Sequence, residues 1–518
     1  MNGIHERTPL AGPALGLIIG IIISAAISVP VVWLFILLAI LLIITFFLSR
    51  HPLIQGFLIG IGCVLSGAVL YSLQQQNMQR QWTERPADHE AVIASEPVAR
   101  GKTLSMDALL ASSGDKIQMR IMRDEQSTQL QVGDGIVFHA AVKPLSAQGS
   151  YLTYLQSHGY VGETFIWHDR WHGAVVSLQQ LGIAQRSRLF FLSQRHQLLQ
   201  HLRTTDISDE AYAIVAAMAL GDKTAVTREQ RDVFTNTGTS HLLALSGLHL
   251  GIIYLLLSQL FPRRRARMVS RLLIVSSIWA FVLLVGMPSS VVRAAVMITV
   301  YAIIDLIRRG HTSLNTLALT AIIMLIMNPS ALFDVGFQLS FSSVLAILLF
   351  TPLLTKMFTM APETTAVENS KPGNAVTNSK LYTLSSKLII SPIISTTAVS
   401  LAAQFGTAPL VAYHFGQFSP YFLLANYVAI PLAMLTLYLT LALLLTFFWP
   451  AFQSVIAIAL TTLVSWLSGW LGWLSSLPCS TIEGLHPTIL QTVAAYVLIG
   501  CLYALLRLLR NNKPQAAK

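Results

Sequence analysis

Long apolar runs separated by short basic or polar breaks make up most of this chain, and one stretch near the N-terminus departs from the pattern. Runs at about 10–28, 29–48 and 53–73 open the sequence, each near the ~20 residues a helix needs to cross a bilayer. A cleaved signal peptide is disfavoured for the first, because its apolar stretch is long and the next begins almost at once. From 74 to 188 charge returns and the period shortens to two. "KIQMRIM" alternates Ile117, Met119 and Ile121 with polar neighbours, and "VGDGIVFHAAV" opens on a Gly-Asp-Gly turn and places Ile136, Phe138, Ala140 and Val142 on one face. Short alternating strands with turn signals predict a small β-barrel or sandwich. Residues 189–238 read as amphipathic helix. Nine further apolar runs follow at about 240–260, 272–287, 290–307, 313–327, 338–358, 389–411, 421–448, 451–474 and 488–509, with the polar insert "APETTAVENSKPGNAVTNSK" after the fifth. The run at 389–411 has a second reading as an interfacial amphipathic helix.

Composition narrows the class. Hydrophobic residues make up 54% and charged residues 11% of the 518, and the mean hydropathy is +0.62. A soluble globular chain carries about 25% charged residues, so a polytopic membrane protein is indicated. The net charge of +11 fits either the Lys/Arg excess of cytoplasmic loops or a protein that handles a polyanion. If every run crosses once, "RRRARMVSR" (263–271), "RRGH" (308–311), the Lys-bearing insert and the terminal "RLLRNNK" fall on one side and the strand-rich stretch on the other. The expected fold is therefore a polytopic α-helical membrane protein of about twelve spans with a small extracytoplasmic β-barrel. Its parts are N-terminal transmembrane helices (1–73), the β-domain (74–188), an amphipathic connector (189–238), a transmembrane channel domain (239–510) and a cytoplasmic tail (511–518). The three cysteines form no CxxC and no Cys/His cluster, which supports neither a disulfide framework nor a zinc site.

Polar residues inside the apolar runs carry the candidate chemistry. "TGTSHLLALSGLHLG" places His241, Ser246, Gly247 and His249 at the head of one run. "MPSSVVRAAVM" follows Pro288 with Arg293, "NPSALFDVGFQLSF" carries Asp334, Gly336, Gln338 and Ser340, and "AAQFGTAPLVAYHFGQFSPYFLLAN" carries Gln404, Thr407, His414 and Asn426. Such groups are costly at membrane depth and face the bundle interior, a partner or water, so four spans offering them imply a shared polar interior. On a continuous helix His241 and His249 share a broad face; capping and packing are the competing use of the same motif. Arg293 fits a phosphate contact, or a structural pair with Asp334 or Asp305. Gln338, Ser340, Gln404 and Asn426 serve equally well as interhelical hydrogen bonds. "GDKT" fails as a phosphate-binding loop, since Asp222 separates Gly221 from Lys223 and the first glycine of the motif is missing. His168 and His172 in "WHDRWHG" read as solvated histidines rather than metal ligands.

In order and spacing, "ALGDK", "GTSHLLALSGLHLG", "PSSVVRAAVM", "NPSALFDVGFQLSF" and "AAQFGTAPL...FGQFSPYFLLAN" resemble the ComEC family of bacterial competence proteins. The likeness is strong over 217–431 and looser over the N-terminal helices and the β-domain, which is an OB-fold in that family. It implies a multi-pass protein of the bacterial cytoplasmic membrane that imports single-stranded DNA during natural transformation, not an enzyme and without a cofactor. It further implies a DNA path or gate at His241, Ser246, Gly247, His249, Arg293, Gln338, Ser340, Gln404 and Asn426. Gly221, Asp222, Pro288, Asp334 and Gly336 are then structural. Many members carry a metallo-β-lactamase-like nuclease domain; the sequence contains no HxHxDH motif, so a separate nuclease is expected. DNA-receptor proteins, a cytosolic DNA-handling protein or ATPase and a homo-oligomer complete the expected partners. A small-solute permease and a membrane metal hydrolase using His241, His249 and Asp334 are the alternatives; the first would call for inverted repeats, the second for HExxH or a comparable ligand set.

Overall fold

The computed structural model describes residues 8–27, 29–48, 50–78, 82, 85–177, 179, 181–261, 267–306, 313–359, 391–446 and 448–511. The expected basic loops at 263–266 and 308–311, the insert at 361–380 and the tail from 512 lie outside them.

Three helices come first: α1 (Ala11–Ala26), α2 (Val31–Phe47) and α3 (Pro52–Met78). The pairing is non-sequential, α1 packing on α3. Glycine makes it possible: a Cβ at Gly20 would lie 1.8 Å from the Val64 carbonyl oxygen, and one at Gly67 2.3 Å from that of Leu17. Without a hydrophobic drive between helices in lipid, such backbone approach is what holds them. Helix α2 leaves Trp33, Phe35, Leu37 and Ile40 bare, an apolar flank that suits acyl chains and not water.

The chain then forms β1 (Ala87–Ile93), β2 (Val98–Arg100), β3 (Thr103–Leu110), β4 (Lys116–Met122), β5 (Gly135–Ala140), helix α4 (Gly149–Ser157), β6 (Tyr160–Ile166) and β7 (Trp171–Gly173). The sheet runs β6-β4-β3-β1-β5-β7, with β2 on β3 and only the β4–β6 pair parallel. Ile117, Met119, Ile121, Ile136 and Phe138 are buried, as period-two alternation predicts. On the opposite face, Lys116 Nζ sits 3.0 Å from an Asp107 carboxylate oxygen and 3.8 Å from the Tyr160 ring centroid. The Tyr160 hydroxyl donates to Asp107 at 2.8 Å. Burial pulls the Lys116 ammonium below its ordinary value against the pull of Asp107, and burial aided by that carboxylate pushes the Tyr160 hydroxyl well up.

Helix α5 (Ile183–Arg203), α6 (Asp209–Val215), a π-turn at Ala216–Leu220 and α7 (Arg228–Asn236) connect to the second helical region. That region holds α8 (Ser240–Leu243), α9 (Gly247–Leu260), α10 (Arg267–Leu284), α11 (Ser289–Leu306), α12 (Ser313–Met327), α13 (Val335–Thr359), α14 (Ser391–Phe415), α15 (Phe422–Leu445), α16 (Pro450–Ser475) and α17 (Ile489–Asn511). Among the described residues, seven helices are long and apolar enough to cross a membrane and five shorter apolar helices accompany them, so the chain is a polytopic helical membrane protein. Helix α14, the run with the alternative interfacial reading, is one of the seven.

Two expectations change. The run at 240–260 is two helices, α8 and α9, parted by extended residues from Ala244 to Ser246. Arg271, expected in a basic loop, lies inside α10, buried and paired with Asp305 while donating to the Tyr254 hydroxyl at 3.0 Å.

The β-region is fastened to the helices by amides. Asn328 Nδ2 donates to the Ser157 carbonyl at 2.7 Å, Gln74 Nε2 donates to Asn328 Oδ1 at 2.8 Å, and Gln74 Oε1 accepts from Ser330 N at 2.8 Å. The end of α3, the turn after α12 and the end of α4 thus meet in one polar knot.

Candidate functional site

The glycine and hydroxyl motif at Thr237–His249 folds as a cap, a break and a second cap. Thr237 and Thr239 are fully buried; the Thr237 hydroxyl donates to the Val233 carbonyl at 2.9 Å and accepts from the Thr239 hydroxyl at 2.9 Å, closing α7. After α8 the backbone extends. At the start of α9, Ser246 N–H donates to His249 Nδ1 at 3.2 Å and the Ser246 hydroxyl lies 2.9 Å from the same nitrogen. His249 fills the place usually held by Glu or Gln in a capping box. An Nδ1 that accepts leaves the proton on Nε2, and that atom is buried without a partner among the described residues. His241 lies on α8, open to solvent, so the two histidines do not share one helix face. Gly247 follows the break, with space for ordinary contact to Ala294 on α11.

Arg293 is buried on α11. Its Nη2 donates to the Gly336 carbonyl at 2.8 Å, and its Nη1 stands 4.0 Å from Asp334 Oδ1. Asp334 caps α13 by accepting from Phe337 N at 2.8 Å, and its second oxygen lies 3.9 Å from His158 Nδ1 at the end of α4. A Cβ at Gly336 would come within 2.9 Å of Asp334 Oδ1 and 3.4 Å of Arg293 Nη2, so glycine there keeps the approach open. Of the two pairings open from the sequence, Asp334 is the neighbour of Arg293; Asp305 is engaged by Arg271. Arg293 Nε has no partner among the described residues.

A cavity of about 1160 Å³ lies between α4 and the ends of several membrane helices, and His241, Ser246, Gly247, His249 and Arg293 are not in its lining. Pro288, Asp334, Gly336 and Gln338 line it. Gln338 spans the wall, donating to the Leu332 carbonyl at 3.0 Å and accepting from His414 Nε2 at 3.1 Å. Ser290, also in the lining, donates to the Leu245 carbonyl at 2.5 Å and so ties the cavity wall to the broken segment. Ser340, Gln404 and Asn426 are not in the lining: the first two are half-buried on α13 and α14, and Asn426 on α15 reaches Ser400 Oγ at 3.4 Å. Asn426 therefore takes the interhelical reading.

Gly221 ends the π-turn in the left-handed region (φ +74°), where Asp222 N donates to the Ala216 carbonyl at 3.0 Å. The Asp222 carboxylate accepts from Thr224 N at 3.1 Å and Thr224 Oγ1 at 3.0 Å, an Asx-type turn rather than a phosphate cradle. That turn presents Lys223 to the cavity, and α5 presents Arg188 from the other side. Sequence reasoning missed both as site residues. The signal for Lys223 lay in "ALGDK"; Arg188 fell at the end of the strand-rich stretch, where nothing marked it. His241, His249 and Asp334 are not gathered as ligands: among the described residues no group of three His, Cys, Asp or Glu could hold a metal ion.

The family model described as Competence protein matches residues 218–509. ComE operon protein 3 of Bacillus subtilis (strain 168) is 26% identical over 368 residues, covering 68% of this chain and 41% of that protein. The chain thus spans less than half the length of that relative. An uncharacterized protein of Aquifex aeolicus (strain VF5) is 32% identical over 156 residues, covering 30% of this chain and 37% of that one. The uncharacterized protein YcaI of Escherichia coli (strain K12) is 25% identical over 164 residues, covering 30% of this chain and 22% of YcaI. No solved structure matches.

Proposed function

Since this chain belongs to the Competence protein (ComEC) family, we propose that it forms the path by which single-stranded DNA crosses the cytoplasmic membrane in natural transformation. The observation that carries this reading is the large cavity where helix ends meet the β-region, with Arg188, Lys223 and Gln338 in its lining and the buried Arg293 packed against Gly336 of its wall. A conduit for a polyanion needs cationic and hydrogen-bonding groups that bind weakly enough to release. Burying an arginine in lipid-facing packing without such a use is costly. The chain is a conduit and not an enzyme in this reading, with no cofactor. The broken helix from His241 to His249 is the gate and Arg293 its phosphate contact.

Twelve spans are the count we favour. The ends of α1, α3 and α14 and the starts of α11, α13 and α17 all reach the cavity, and this alternation is what twelve single crossings require. The β-region then lies outside the cytoplasm. A five-stranded OB-like barrel is our reading of β1, β3, β4, β5 and β6, supported by β1 lying between β3 and β5, by the parallel β4–β6 pair and by the Lys143–Glu163 bridge that brings the chain after β5 onto β6. DNA-receptor proteins, a cytosolic DNA-handling protein or ATPase, a separate nuclease and further copies of this chain are the proposed partners.

Deleting the gene and following labelled DNA tests the proposal. Surface binding persists and entry into the cytoplasm stops. Entry at the parental rate without this protein refutes it.

A further inference from the structure

The cavity has a neighbour with which it shares one lining residue. A second pocket of about 320 Å³ is lined by Lys223, Val226, Arg231, Thr235, Ser240 and Leu243. Lys223 is in the lining of both spaces, with Arg188 on the far side in the large cavity and Arg231 beside it in the small one. The small pocket ends on Ser240 and Leu243, the helix that precedes the break.

Among the described residues these three cations lack a counter-charge within ion-pair distance. Arg231 Nη2 donates to the Lys223 carbonyl at 3.0 Å, which fixes the turn and the guanidinium together. The Asp222 carboxylate is turned onto Thr224. Arg188 Nη2 reaches only the Gly286 carbonyl, at 3.5 Å, and its Nε is buried and unpartnered. Among the described residues none of Arg188, Lys223 and Arg231 forms an ion pair. Burial, with the charge of Arg231 added, pulls the Lys223 ammonium below its ordinary value. An anion arriving there relieves that repulsion.

We propose that Arg188, Lys223 and Arg231 form a continuous cationic track that receives successive phosphates of single-stranded DNA and leads them from the large cavity to the mouth of the broken helix. The inference rests on the DNA-path reading and assigns its entry contacts. Two pockets that share Lys223 as a wall, with three unpaired cations, suit a chain of phosphates better than one headgroup, since a single phosphate would occupy only one of them. Lys223 sits at the junction, so it acts as the hand-over point between the two spaces.

The test uses the full chain in phosphatidylcholine nanodiscs and a fluorescent oligo-dT, with affinity measured across a range of salt. Each phosphate neutralised on a single strand contributes about 0.7 to the slope of log affinity against log salt. Replacing all three residues (R188Q, K223Q, R231Q) should lower the slope by about 2, and the charge-retaining set R188K, K223R, R231K should keep it. Should the triple glutamine protein fail to fold, K223Q alone, in the turn after Gly221, should lower it by about 0.7. Steep salt dependence that the glutamine variants leave unchanged overturns the track but not the DNA path. Wild-type protein that binds no oligonucleotide at low salt overturns both. Repeating the comparison with an anionic lipid separates the sources of phosphate: a difference that disappears there means the cations hold headgroups, and the track is wrong.

Discussion

Arg293 stands 4.0 Å from Asp334 but makes its short contact, 2.8 Å, with the carbonyl of Gly336. The guanidinium is thus fixed by a neutral acceptor, with the carboxylate as a more distant counter-charge and a third nitrogen unpartnered. An arginine consumed by its salt bridge has nothing left for a ligand; this one has.

Replacing Arg293 by alanine should therefore abolish DNA entry while the protein inserts at near-normal abundance, because interhelical hydrogen bonds in membranes contribute only about 1–2 kcal/mol. Arg293→Lys should retain part of the uptake, as the charge remains without the planar fork. Asp334→Asn, which keeps a cap acceptor on Phe337, should leave abundance intact and report whether the carboxylate matters. Transformation frequency against membrane protein level is the measurement, and wild-type uptake by Arg293→Ala would remove Arg293 from the path.

His249→Gln separates capping from transport. The glutamine oxygen can accept from Ser246 N–H as Nδ1 does, so stability should stay within about 1 kcal/mol of the parent. The buried Nε2–H is lost, and uptake should fall roughly tenfold or more, equivalent to about 1.4 kcal/mol on the translocation barrier. Thermal stability in detergent and transformation frequency together decide it. Full uptake would make His249 a cap and no more.

Glycines in the helices divide into those that touch and those that do not. A Cβ at Gly406 would stand 2.3 Å from the Ser342 carbonyl oxygen, backbone against backbone, so Gly406→Ala should destabilise the α13–α14 pair by about 1–3 kcal/mol. Gly251 has nothing within 4 Å, and Gly251→Ala should stabilise α9 by about 0.5–1 kcal/mol. Melting of the two variants in the same detergent should move in opposite directions.

The Tyr160 hydroxyl titrates well above its ordinary value in the folded chain, through burial first and Asp107 second. Above about pH 10 the unfolded tyrosine releases a proton that the folded one keeps, so this contribution to stability falls as pH rises, by about 1.4 kcal/mol per unit. It is fully present below pH 10. The stability difference between the parent and Tyr160→Phe should shrink with that slope, read by pulse proteolysis of the full chain with an alkaline protease. A difference independent of pH would refute the linkage.

Reporter fusions at Lys143 and Ser480 should read as outside and one at Trp449 as inside. A cytoplasmic signal at Lys143 would reverse the orientation assigned to every helix.

How much of this was legible depended on whether the cause was local. The period of two through Ile117, Met119 and Ile121 is a local property, and β4 follows it. Apolar runs near 20 residues announced most of the helices for the same reason. The break before α9 was hidden because "LALSGLHLG" holds neither proline nor a Glu or Gln at the capping position, where a histidine stands in for the usual capping glutamate. Arg271 was read as a loop charge, since its partner Asp305 is 34 residues away and meets it only in the folded bundle. Lys223 was read only within a failed phosphate-binding loop, and Arg188 fell at the end of the strand-rich stretch. Only the packing of α4 over the helix ends turns their surroundings into a cavity.

The knot of Gln74, Asn328, Ser157 and Ser330 joins the two halves of the molecule through uncharged groups. Coulombic screening acts on charges and barely on amides, so concentrated electrolyte leaves this hinge fastened while loosening any grip on a polyanion. A loss of oligonucleotide affinity at high salt would then report on severed ionic contacts, not on the β-region parting from the helices.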